Sequence, residues 1–137
     1  MSARWFRTIK VLIVAGMAAS VLHFADNAFA IEHYPEPGWI TPFGVVASWC
    51  VVTAVALVAV TRKRADGPFL ATTAIYILVL LSGLLHYAFG PPMHMALRSH
   101  VTVLAEALTG FALAGALLGS SISGRRGGDQ ATLRSDI

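Results

Sequence analysis

The chain has 137 residues, 56% hydrophobic and 12% charged, with a mean hydropathy of +0.69. A soluble domain of this length carries about 25% charged residues, so the composition excludes an ordinary water-soluble fold and points to side chains that meet lipid. The formal net charge of +3 would suit nucleic acid, but the basic residues cluster at the ends of apolar runs, where they read as topology signals, and no nucleic-acid partner is expected.

Crossing the hydrocarbon takes roughly 20 apolar residues in a helix, and four runs qualify. The first, 9–30, follows Arg4, Arg7 and Lys10 and ends before Tyr34-Pro35-Glu36-Pro37-Gly38-Trp39, a segment that cannot continue a helix. Thr41 and Pro42 then supply an N-cap and a first-turn proline for the second run, 42–60. Arg62, Lys63, Arg64, Asp66, Gly67 and Pro68 form a charged turn, the third run covers 69–89, and Gly90-Pro91-Pro92 stops it. The fourth run covers 97–119, and residues 121–137, rich in Ser, Gly and Arg, read as a disordered tail. Short loops make consecutive spans antiparallel neighbours, so residues 1–120 are expected to form one all-α, four-span bundle.

Basic residues gather on the cytoplasmic side of membrane proteins. Here they precede the first span, separate the second from the third and follow the fourth, and only Arg98 lies opposite. The expectation is a multi-pass protein of the cell membrane with both termini cytoplasmic. One competing reading makes the first run a secretory signal, cleaved at Ala28-Phe29-Ala30. That run is long for a signal and polar in its outer half, so it is taken as a span.

All five histidines fall in the outer half: His23, His33, His86, His94 and His100. Asp26 and Glu106 join them within spans, and ionisable groups inside a membrane are costly enough to mark functional sites. In span one, Gly16, Ala19, Ser20, His23, Asp26, Asn27 and Ala30 share one helical face, opposite Val14, Ala18, Val21 and Ala25. In span four, Ser99, Thr102, Glu106 and Gly110 form a stripe at helical spacing, with His100 one step round. Ser20-Val21-Leu22-His23-Phe24-Ala25 faintly repeats as Gly83-Leu84-Leu85-His86-Tyr87-Ala88, which would give His23 and His86 matching places. Gly115 and Gly119 form a small-xxx-small pair suited to close helix packing. Trp5, Tyr34, Trp39 and Tyr87 fit aromatic belts at the two interfaces.

Two imidazoles across a bundle can ligate a b-type haem. Mixed imidazole and carboxylate donors suit zinc, iron or copper, and the thioethers of Met93 and Met95 beside His94 favour copper. The first expectation is therefore a transition-metal or haem site at His23, Asp26, His86, His94, His100 and Glu106, with His23 and His86 as the haem pair. A second reading is a structural or assembly subunit, or a homo-oligomer, in which these groups only hold helices together. A third is an enzyme or carrier that moves protons through a His–Glu pair. No motif specifies a catalytic residue, a substrate or a reaction.

Overall fold

A computed structural model describes the backbone of residues 1–135 and the side chains of residues 1–123. Every regular element among them is helical. Helix α1 (Ala3–Phe29) is followed by a 3-10 turn (Ile31–His33), then α2 (Pro42–Thr61) and α3 (Gly67–Ser82). A second 3-10 turn (Gly83–Leu85) leads into the short α4 (His86–Phe89), and a third (Pro92–His94) precedes α5 (Leu97–Ser135). Four helical columns are long and apolar enough to cross a membrane: Ala3–Phe29, Pro42–Thr61, Gly67–Phe89 and Leu97–Ser123. The expected spans fall within these columns to within a residue or so at the loops. The tail expected from residue 121 lies outside the described side chains beyond Ser123.

The helix ends follow from local chemistry. The Thr41 hydroxyl accepts the Gly44 N–H at 3.1 Å with Pro42 in the first turn, as the sequence predicts. The Asp66 carboxylate accepts the Phe69 N–H at 3.0 Å and also pairs with Arg62 across the turn. One acid thus caps α3 and neutralises a basic neighbour.

The columns form a square, in which α1 packs on α2 and α5, and α3 packs on the same two helices from the other side. Ile9, Ile13, Val52, Ala56, Phe69, Tyr76, Leu80 and Leu113 fill the centre of the basic end and middle. The histidine end has only a small apolar cluster of Tyr34, Met95 and Val103. Outward positions such as Val14, Val51, Leu78, Leu108 and Leu118 are exposed and apolar. The face anticipated for α1 is the buried one: Gly16, Ala19, Ser20, His23, Asn27 and Ala30 are buried, and Val14, Ala18, Val21 and Ala25 are exposed.

Of the small-xxx-small pair, Gly119 lies under the Trp5 ring, whereas nothing lies within 4 Å of a Cβ added to Gly115. Gly110 is more tightly constrained, since an added Cβ would meet Leu80 Cβ at 3.1 Å and Leu81 Cδ2 at 3.0 Å. Gly110→Val should therefore lower the midpoint of thermal unfolding in detergent, at a cost of about 1–3 kcal/mol from overpacking. Gly115→Val carries the same helix-propensity penalty without the clash and should unfold close to wild type. Equal midpoints for the two variants would contradict the α3–α5 contact.

Candidate functional site

The histidine end holds two polar assemblies on different sides of α1. The first is centred on Asp26, whose carboxylate Oδ2 accepts the Tyr34 hydroxyl at 2.7 Å and the Ser99 hydroxyl at 2.7 Å. The Asp26 Oδ1 atom accepts from Arg98 Nε at 2.9 Å. This hub ties α1, the first loop and the start of α5 together. It also buries Tyr34, which therefore is an internal anchor and not a member of an interfacial belt. Burial pushes the Tyr34 hydroxyl up to about 12, so it stays a neutral donor to Asp26.

The second assembly faces the bundle interior. His23 Nε2 lies 3.7 Å from Glu106 Oε2, and both side chains are almost fully buried. The His23 and His86 rings meet edge to face with centroids 5.3 Å apart. His86 Nδ1 lies 3.5 Å from Glu36 Oε1, and Asn27 Nδ2 donates to that same oxygen at 2.6 Å. Asn27 Nδ2 also lies 3.4 Å from His86 Nε2. Two imidazole–carboxylate pairs therefore stand side by side, one reaching to α5 and the other to the first loop.

Backbone geometry puts them there. The 3-10 turn at Gly83–Leu85 winds tighter than the α-helix before it, which turns His86 roughly 60° from the continuous helical phase. A side chain at Gly83 would meet Glu106 Oε2 at 3.1 Å, so the glycine leaves that carboxyl its place. A Cβ on Gly90 would come within 2.5 Å of Pro35 Cβ. Only glycine lets the chain after α4 press so closely on the Pro35-Glu36-Pro37 segment, and that contact holds Glu36 over His86.

Beside the two pairs lies a cavity of about 520 Å³, within the range of small-molecule sites. His23, Asn27, Glu36, His86 and Glu106 supply its ionisable and amide groups, and Phe24, Val45, Val52, Val79, Leu85 and Phe89 contribute apolar wall. Several buried polar atoms of the lining have no hydrogen-bond partner: His23 Nδ1, Asn27 Oδ1, Glu36 Oε2, His86 Nδ1 and Glu106 Oε1. Leaving such groups unpaired costs on the order of 1–3 kcal/mol each, a cost usually met only where a ligand or water completes the set.

Of the residues expected to act together, His23, His86 and Glu106 converge. Asp26 turns away to Arg98. His100 stacks on Tyr87, its Nδ1 lying 3.0 Å from the phenol oxygen. His94 sits exposed in its 3-10 turn, and Met93 and Met95 point apart, one exposed and one buried. His33 pairs at the surface with Glu32 at 3.4 Å. Among the described residues, no three His, Cys, Asp or Glu side chains are gathered as a metal site requires. The His23 and His86 rings, the pair expected to flank a haem, meet each other directly in this structure. Glu36 and Asn27 are members that the sequence reading did not select as site residues. A carboxylate set between two prolines, directly after a polar helix end, is the signal that would have pointed to Glu36.

Two outcomes follow from these networks. Asp26→Ala orphans the Tyr34 and Ser99 hydroxyls and should cost about 1–3 kcal/mol, whereas Arg98→Ala, at a largely exposed side chain, should cost well under half of that. Unfolding of both variants in detergent measures the difference. Burial raises the Glu36 carboxyl above its ordinary value, against the opposing Asn27 hydrogen bond. The folded chain therefore keeps a proton that the unfolded chain has released, and stability falls as pH rises from the ordinary carboxylate range through the raised value. Glu36→Gln should flatten that decline in a pH series of thermal unfolding.

No family model, curated protein or solved structure matches the chain.

Proposed function

We propose that this chain is a multi-pass protein of the cell membrane, with both termini cytoplasmic, and that the outer half of its bundle is an acid–base ligand site. In this reading the His23–Glu106 and His86–Glu36 pairs hold and exchange protons with a molecule admitted to the adjoining cavity, as in a small carrier or enzyme. The observation that carries it is the buried 3.7 Å approach of His23 to Glu106 beside a cavity that both residues line together with His86 and Glu36. An imidazole within reach of a carboxyl can pass a proton through a small movement of either side chain. Burial strengthens the coupling between them.

Membrane insertion is supported by the apolar exteriors of the four columns, and the orientation by the basic residues at one end. It can be tested in a Cys50→Ser background. Gly38→Cys should react with an impermeant thiol reagent added outside intact cells, and Lys63→Cys should not. The opposite labelling pattern would reverse the topology.

For the acid–base reading, the imidazole nitrogens of isotopically labelled protein are followed by NMR over a pH series in detergent. Glu106→Gln should alter the titration of His23, and Glu36→Gln that of His86. Histidine titrations indifferent to both substitutions would overturn it.

Binding of a transition metal ion, zinc, copper or iron, is the second reading. It is favoured by the spacing of His23 Nε2 and Glu106 Oε2, which one ion about 2.0–2.2 Å from each could bridge. A third protein ligand would have to swing in from His86 or Glu36. Metal analysis of the purified protein, followed by calorimetric titration with Zn²⁺, decides between the readings. Stoichiometric binding abolished by His23→Ala would favour the metal.

A further inference from the structure

The cavity also carries information about what would fill it, on the reading that it is a ligand site. The unpartnered polar atoms of its lining residues are unequal in kind. Glu36 Oε2, Glu106 Oε1 and Asn27 Oδ1 are acceptors, the asparagine orientation being fixed by its donation to Glu36. His23 Nδ1 and His86 Nδ1 can accept or donate according to tautomer. No lysine or arginine lines the cavity, so two buried carboxyl groups have no fixed cation beside them. A ligand complementary to these groups brings donors and positive charge.

The rest of the lining is mostly apolar, with the hydroxyl residues Thr41, Ser48 and Ser82 at the mouth, which is placed to the side. Thr41 and Ser48 on one edge, and Ser82, Leu85 and Phe89 on the other, are lining residues that are also exposed. The opening therefore runs between α2 and the α3–α4 column, along the outward surface of the bundle. Only the half of α2 nearer the basic end, through Val52, Ala56 and Ala59, belongs to the apolar core, so its first turns are free to form a wall. The exposed Trp39 stands above this mouth, at the level of the loops.

We infer that the cavity takes a lipophilic amine: a protonated ammonium group donating to Glu106 and Glu36, with an apolar body lying against Val45, Val79 and Phe89, entered sideways from the outer leaflet. An ammonium group offers three donors, and the lining side chains of Glu106, Glu36 and Asn27 carry acceptor oxygens. The same charge relieves the desolvation of the carboxylates that it meets.

The test uses the full-length protein in lipid nanodiscs, with decylammonium as probe and decanol and decanoate as neutral and anionic controls of equal chain length. Empty nanodiscs provide the partitioning background. Decylammonium should bind saturably, one per chain, and neither control should. The double variant Glu36→Gln with Glu106→Gln should weaken binding at least about tenfold, the loss of charge-assisted hydrogen bonds. Ser48→Trp, at an exposed position on the mouth, should block entry while leaving both carboxyl groups in place, which guards against misfolding of the double variant. Decylammonium bound no better than decanol, or equally well by both variants, would overturn the inference. If that happens while His23 and His86 still respond to the glutamate substitutions, the ligand class is wrong and the acid–base site stands. If the histidines are also indifferent, both readings fall.

Discussion

The histidine end is organised by one mostly covered carboxylate on the flank of α1, Asp26, whose charge needs donors. Those within reach belong to two different parts of the chain: Tyr34 in the first loop, with Ser99 and Arg98 at the head of α5. Satisfying it pulls the loop inward and seats the Tyr34 ring beside both His23 and His86. Two residues further on, the same loop delivers Glu36 to His86. The second imidazole–carboxylate pair is thus a consequence of how the first loop is anchored, and the Gly90–Pro35 contact fixes the final position.

This arrangement divides the molecule by packing as well as by polarity. At the basic end, large apolar side chains interdigitate and leave little room for movement. At the histidine end, the helices are joined by hydrogen bonds and ion pairs, and a cavity opens between α2 and the α3–α4 column. The rigid half sets the spacing of the helices. The histidine half inherits that spacing without filling it, and so a cavity forms between α2 and its neighbours.

Much of this is legible in the residues and some of it is not. Apolar runs of membrane-spanning length, broken by proline-containing and charged turns, define the columns, because nothing else in the chain competes with them. The buried face of α1 follows from the 3.6-residue period. That period also separates Asp26 from His23: three residues further on, it lies about 60° round the helix, and it addresses Ser99 and Arg98 of α5. His100 likewise follows Ser99 by one step and ends on Tyr87. The phase of His86 depends on a local tightening to 3-10 geometry that no periodic pattern reports. Glu36 depends on where an irregular loop lands, and that is decided by tertiary contacts with Asp26 and Gly90, not by its neighbours in sequence.

The sideways mouth between α2 and the α3–α4 column changes the scale on which a ligand's affinity is to be judged. A site reached through lipid samples the concentration in the bilayer, not that in the surrounding water. Each methylene group adds about 0.8 kcal/mol to transfer out of water, so a ten-carbon chain is enriched in the membrane by several orders of magnitude before it meets the protein. The cavity then needs to recognise only the head group. A few hydrogen bonds of modest strength suffice for occupancy, and release back into the leaflet stays fast.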